Sequence, residues 1–157
     1  MAGTLQIISV GALFALLAYV IYSDVTRRII PNTVNAAVAL LAVPFWLGSG
    51  EALWPLVGWQ LLLAVGVFAV FAGIFALGAM GGGDVKLLTA LALWLPAIPY
   101  LRMLVLMSII GGVLTLAYLV WHRKRRKAGN PEIPYGCAIC LATFVALGEP
   151  IVKQLAG

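Results

Sequence analysis

Charge is what this sequence has least of. Only 10% of its 157 residues are charged, and just five are acidic: Asp24, Glu51, Asp84, Glu132 and Glu149. A soluble domain usually carries about a quarter charged residues to cover its surface. Here 64% of positions are hydrophobic, which excludes a monomer at ease in water and makes lipid the expected solvent. Long polar stretches are missing too, so residues 1–157 are expected to form one integral-membrane domain. His122 is the sole histidine, and the two cysteines, Cys137 and Cys140, stand together as CAIC. Two thiols and a distant imidazole do not complete a zinc site. No metal, no cofactor and no structural disulfide are therefore expected. The cysteines read as small apolar residues on one face of a membrane helix.

What the chain does have is long charge-free runs, at 1–23, 29–50, 52–83, 87–101, 103–121 and 133–148. A helix needs roughly 20 apolar residues to cross a bilayer. The pattern predicts an all-α, polytopic membrane protein with six transmembrane helices. The third run is long enough to span and still leave a loop, and glycines at 73, 78 and 81–83 place its last part outside the helix. The fourth is short, about 22 Å at 1.5 Å per residue. Its far end carries Pro96 and Pro99, in a tight turn, LPAIPYLR, that leads into the fifth run. No basic residue precedes Arg27. The first run thus lacks the basic region of a secretion signal and is expected to stay as a span.

The net charge of +5 does not point to nucleic acid, because half of the basic residues sit in one run at 123–127, directly after an apolar segment. Such a cluster marks the cytoplasmic side of a membrane, with anionic lipid as its expected partner. Arg27, Arg28, Lys86 and the 123–127 run fall on one side of the six spans, whereas Arg102 and Lys153 fall on the other. The positive-inside rule puts the richer side in the cytoplasm and both termini outside.

Parity then acts on the acidic residues. Asp24 follows the first span and Asp84 the third, so two crossings return them to one face. Glu51 and Glu149 fall in outside loops, and Glu132 in a polar cytoplasmic loop. An ionisable group at a membrane helix is costly and marks a candidate site, although either aspartate alone also suits a helix cap or a partner for Arg27, Arg28 or Lys86. Two carboxylates brought close cannot both ionise cheaply, so they share a proton and offer acid and base together. Such a pair can activate water against a peptide bond without serine, cysteine or metal. Gly81, Gly82 and Gly83, just before Asp84, remove side chains where a substrate backbone would approach and permit positive φ. In DVTRRIIPN, Pro31 and Asn32 are expected to start the second helix, with Asn32 at its cap. Arg27 and Arg28 either orient Asp24 and hold substrate or serve as membrane anchors. The same electrostatics would also suit a small proton- or cation-coupled transporter, and a non-catalytic assembly scaffold is a further alternative.

Three blocks resemble the type IV prepilin peptidases, within the wider GxGD membrane aspartic proteases: DVTRRIIPN at 24–32, GAMGGGDVKLL at 78–88, and PYGCAI at 134–139. The resemblance implies that Asp24 and Asp84 are the catalytic pair. It implies site-shaping roles for Gly81, Gly82, Gly83, Lys86, Arg27, Arg28, Pro31, Asn32, Pro134, Tyr135 and Gly136. It further implies a multi-pass protein of the bacterial inner membrane that removes a short basic leader from a prepilin at the cytoplasmic face, commonly after a glycine. The short form resembles the tight-adherence (Flp) pilus subtype. Longer relatives carry an added cytoplasmic region with paired cysteine motifs and N-methyltransferase activity. That region is not in this sequence, so methylation is not expected.

Overall fold

The structure, a computed structural model, describes residues 2–50, 52–125 and 135–156, with side-chain surroundings lacking at 2, 118–119, 121–125 and 149–156. Glu51, Glu132, Pro134 and the end of the basic run, Arg126 and Lys127, lie outside the described residues, as do the side chains of Arg123, Lys124, Arg125, Glu149 and Lys153. The expected lipid contact of the basic run therefore falls outside them. Six helices follow in order: α1 (Ala2–Arg27), α2 (Asn32–Gly48), α3 (Leu53–Ala76), α4 (Gly82–Leu91), α5 (Ala97–Arg125) and α6 (Tyr135–Ala156). Among the described residues there is no strand. By length and apolar composition, stretches of α1, α3 and α5 (Gly3–Arg27, Leu53–Ala76 and Ala97–Ala117) can cross a membrane, and α2 and α6 are shorter apolar helices.

Local chemistry sets the helix ends. The last turn of α1 closes with Arg28 N–H donating to the Asp24 carbonyl at 3.1 Å, and Arg28 turns the chain with φ 55°. Pro31 cannot continue a helix, since it lacks an N–H. It holds the extended cap position of α2 (φ −64°, ψ 138°), with no side-chain cap. This corrects the expectation for Asn32, which is the first helical residue instead. At the end of α3, Gly78 N–H donates to the Phe75 carbonyl (2.8 Å) and Ala79 N–H to the Ile74 carbonyl (3.2 Å). This is the paired-bond cap that requires a left-handed residue, and Gly78 supplies it with φ 73°.

The fourth charge-free run does not fold as a single element. Its helix, α4, has 10 residues, about 15 Å, and ends at Leu91. Residues 97–101 begin α5 instead. Pro96 accepts the Tyr100 N–H at 2.9 Å, so the prolines open a helix rather than end one. A proline in a first turn sacrifices no intrahelical bond, because those N–H groups have no partner there.

Short as it is, α4 lies at the centre. Leu87, Leu88 and Leu91 are fully buried, with α2, α3 and α6 packed around the helix. α1 packs on α2 and α6, and α5 on α6. Outward positions such as Ile8, Leu40, Leu62, Val105 and Val113 stay exposed, the surface a lipid-facing bundle presents. Polar side chains in the interior bond to carbonyls. Trp94 Nε1–H donates to the Val38 carbonyl and Trp46 Nε1–H to the Leu93 carbonyl, both at 2.9 Å. Tyr100 Oη–H donates to the Leu88 carbonyl at 3.0 Å. These bonds fix the turn after α4 against α2 and α5.

Trp94 is 1% exposed and stacks beside Phe45 with ring centroids 4.9 Å apart. Trp94→Ala is expected to cost roughly 3–5 kcal/mol, read as a lower thermal midpoint in detergent. A midpoint equal to that of the parent would tell against this anchoring of α4.

Candidate active site

The two aspartates flagged by the sequence come from different helices and meet a third. Asp24 sits in the last turn of α1, buried at 7% exposure. Asp84 is the third residue of α4 and is partly buried. Beside Asp24 stands the start of α6, where Cys137 N–H donates to Asp24 Oδ2 at 3.1 Å. The Gly136 N–H and the Cys137 thiol are further hydrogen-bond partners of the same carboxylate. The first amides of a helix have no internal acceptor, and here a carboxylate from another helix supplies one. Cys137 lies within electrostatic range of both aspartates.

Asp84 is held by its own helix end. Gly81 occupies the cap position with an extended backbone (φ −74°, ψ 143°), and its backbone hydrogen-bonds to the Asp84 carboxyl. An acidic residue three positions past the cap reaches back in this way in a capping box.

The glycines are explained by close approach. A Cβ on Gly81 would stand 3.0 Å from Asp84 Oδ2, and one on Gly136 would stand 2.7 Å from Asp24 Oδ2. A Cβ on Gly83 would meet the Ile30 Cβ at 3.0 Å, and one on Gly82 would touch the Phe75 ring at 3.4 Å. The expected positive φ at 81–83 is not what they provide. Among described glycines, positive φ occurs at Gly50 and Gly78. Gly82 and Gly83 are helical, so at Gly83 it is the missing side chain, rather than backbone freedom, that lets the elements pack, whereas a Cβ on Gly82 would make an ordinary contact.

Residues 11–116 match the model of the type IV leader peptidase family. The chain belongs to that family. A prepilin leader peptidase/N-methyltransferase from Legionella pneumophila is 28% identical to it over 171 residues, which cover 95% of this chain and 55% of the relative. The chain thus spans about half the length of the curated relative it matches. No solved structure matches it. The stretch matched to the family contains Asp24 and Asp84 and ends before α6.

Other sequence candidates of this family member are placed unevenly. Arg28 is within electrostatic range of Asp24, and Arg27 is exposed on the last turn of α1. Lys86 does not join the acidic pair. Its Nζ donates to Asn32 Oδ1 at 2.8 Å, because residues two apart on a helix face different ways. Asn32, freed from the expected cap, is thus the partner of Lys86. Pro31 sets the start of α2, and Tyr135 opens α6 half-exposed, beside Gly111. Pro134 lies outside the described residues.

Three residues that the sequence did not single out belong to the surroundings. Ile30 is buried between Gly83 and Gly136. Ser23 Oγ–H donates to the Ile29 carbonyl at 2.6 Å, and Asn35 Nδ2–H donates to the Gly83 carbonyl at 3.2 Å. The available signal was weak. Asn35 follows the DVTRRIIPN block by one helical turn on α2, and Ile30 lies inside that block.

Burial, and after it the negative charge of Asp24, push the Asp84 carboxyl from 3.8 up to about 6. The folded value lies above the unfolded one, so the folded chain keeps a proton that the unfolded chain has lost between them. Stability is then full below about pH 4, falls as pH rises toward about 6, and is level beyond. The cost at pH 7 is on the order of 3 kcal/mol. Asp84→Asn removes it and is expected to raise the thermal midpoint in detergent at pH 7, with little change at pH 4. Equal midpoints at pH 7 would contradict this.

Proposed function

We propose that this chain is a membrane aspartic endopeptidase that removes the short basic leader of Flp-like type IV prepilins at the inner face of the bacterial cytoplasmic membrane. The observation that carries the reading is the meeting of Asp24 and Asp84, 60 positions apart in sequence, at one site built from the ends of α1, α4 and α6. Membership of the leader peptidase family supplies the reaction class, and the Legionella relative, by its name, the prepilin substrate.

The chemistry follows from what holds each carboxyl. Asp24, fixed by the amides of α6, is the base that takes a proton from water. Asp84, with its raised value of about 6, keeps the shared proton and hydrogen-bonds the scissile carbonyl oxygen. Water oxygen attacks the carbonyl carbon, and the C–N bond breaks as a proton passes to the leaving amine. The products are a leader carboxylate and a pilin with a new amino terminus.

The substrate fits the charge pattern of the chain. A leader rich in Lys and Arg stays on the cytoplasmic side while its hydrophobic helix enters the bilayer, so the bond to be cut lies at the interface. The basic run at 123–127 would repel that leader and is assigned to anionic lipid. We read 1–157 as a single peptidase domain and assign no methyl transfer to it.

A proton or cation path through the bilayer would need ionisable groups along the bundle. Away from the site, no carboxylate, lysine, arginine or histidine side chain is buried among the described residues. Transport is the weaker reading for that reason.

Co-expression with a prepilin, followed by N-terminal sequencing of the pilin, tests the proposal. Asp24→Asn and Asp84→Asn are each expected to lower cleavage by about three orders of magnitude or more while still inserting in the membrane. Near-parental processing by either purified variant would refute the assignment.

A second test uses pH. The profile of kcat/KM reports groups of the free enzyme, so activity is expected to fall as pH rises past the Asp84 value of about 6. Lys86→Ala is expected to leave that limb in place, since Lys86 bonds to Asn32. A displaced limb would return Lys86 to the mechanism.

A further inference from the structure

We propose that Ile30 is a positioning residue whose side chain, seated between the bare Cα positions of Gly83 and Gly136, sets the separation of the helix ends that carry Asp84 and hold Asp24. The inference rests on the peptidase reading above and adds to it a residue outside the acidic pair.

The contacts are specific to atoms. The Ile30 Cβ lies 3.0 Å from where a Gly83 Cβ would be, and its backbone oxygen lies 3.4 Å from the same point. At the other end of the side chain, Cδ1 lies 3.0 Å from where a Gly136 Cβ would be. Gly83 immediately precedes Asp84. Gly136 immediately precedes Cys137, whose amide holds Asp24 Oδ2 at 3.1 Å. One aliphatic side chain therefore touches both helix ends at the residue next to each functional group.

Ile30 is itself held. It is 8% exposed, in a connection of four residues between α1 and α2 (28–31). Ser23 Oγ fixes the carbonyl of its neighbour Ile29 at 2.6 Å, and Pro31 restricts the backbone of Ile30 to extended conformations. Asn35 ties the Gly83 carbonyl to α2 at 3.2 Å, so α4 cannot follow a shrinking spacer freely. Removing the branch leaves a void between two helix ends rather than a collapse, because packed interiors relax only in part. The carboxyl groups then lose their mutual register, while the surface that binds substrate stays as it was.

The test compares Ile30→Val with Ile30→Ala in the 157-residue chain, purified in detergent, against a prepilin substrate. Valine deletes only Cδ1, the atom that faces Gly136, whereas alanine deletes everything beyond Cβ. Misplacement of about 1 Å costs up to ~100-fold in rate, so Ile30→Ala is expected to lower kcat by ~10-fold or more and Ile30→Val by roughly threefold. KM should stay within about twofold in both, because the lost interaction belongs to the reaction step and not to ground-state binding.

Parental kcat in both variants, or a loss that shows as KM alone, overturns the inference. If Ile30→Ala does not accumulate in the membrane, the valine variant decides by itself, and an unchanged kcat rejects the spacer role. Asp24→Asn and Asp84→Asn run alongside. Should they still cleave, the peptidase assignment fails; should they be inactive while both Ile30 variants match the parent, only the Ile30 inference fails.

Discussion

The contact on which the site depends is a helix cap made across the fold. α6 begins with amides that no residue of its own turn can accept, and Asp24, at the end of α1, accepts one of them at 3.1 Å. Neither helix end could stay buried in an apolar bundle without the other. An unpaired N–H and an unpaired carboxylate are both costly away from water. Joined, they fix α1 against α6, the two helices that enclose the site on one side. The α4 end then has to fit the space that remains, and its own carboxyl is satisfied by the local cap at Gly81. Asp84 therefore approaches Asp24 as a separate, self-supported unit, and their electrostatic conflict is borne by the packing around them.

That arrangement explains why glycine is concentrated where it is. Three close approaches surround the two carboxyl groups, one too close for a Cβ, at Gly136, and two tight for one, at Gly81 and Gly83. Gly136 yields to Asp24, Gly81 yields to Asp84, and Gly83 yields to Ile30. A string of glycine before an aspartate is easily taken as a flexible turn. Here two of the three glycines are helical, and the flexible role belongs to Gly78, which caps α3 with a left-handed backbone.

Much of this was legible in the charge pattern. Five acidic residues in an apolar chain leave few candidates, and the even number of expected crossings between Asp24 and Asp84 agrees with their interaction in the fold. The six helices were legible from the charge-free runs, because an apolar stretch in lipid must satisfy its backbone internally. The length of α4 was not, since hydropathy does not distinguish a ten-residue helix plus a turn from a short span. Tryptophan bonds to backbone carbonyls hold that turn, and such bonds leave no periodic trace. The partner of Lys86 was left open for a related reason. Proximity in sequence suggested a partner for Asp84, but helical geometry turns it away toward Asn32. Ile30 and Cys137 were illegible because their part is played by an apolar side chain and a main-chain amide, neither of which carries a chemical signature.

In the proposed mechanism, the shortness of α4 is itself part of how the site would work. A spanning helix with Asp84 in its first turn would need an exposed face along its whole length to meet lipid. A helix of ten residues can instead be wrapped by α2, α3 and α6, with Leu87, Leu88 and Leu91 wholly enclosed. Enclosure gives Asp84 a platform that cannot tilt independently of its neighbours. It also withdraws the carboxyl from water, which is the larger cause of its raised proton affinity. A carboxyl on a lipid-facing or loop-borne segment would lose one property or the other, either its rigidity or its desolvation. Both are needed if a single proton is to stay with one member of an acidic pair, so a buried, truncated helix suits this chemistry better than a full crossing.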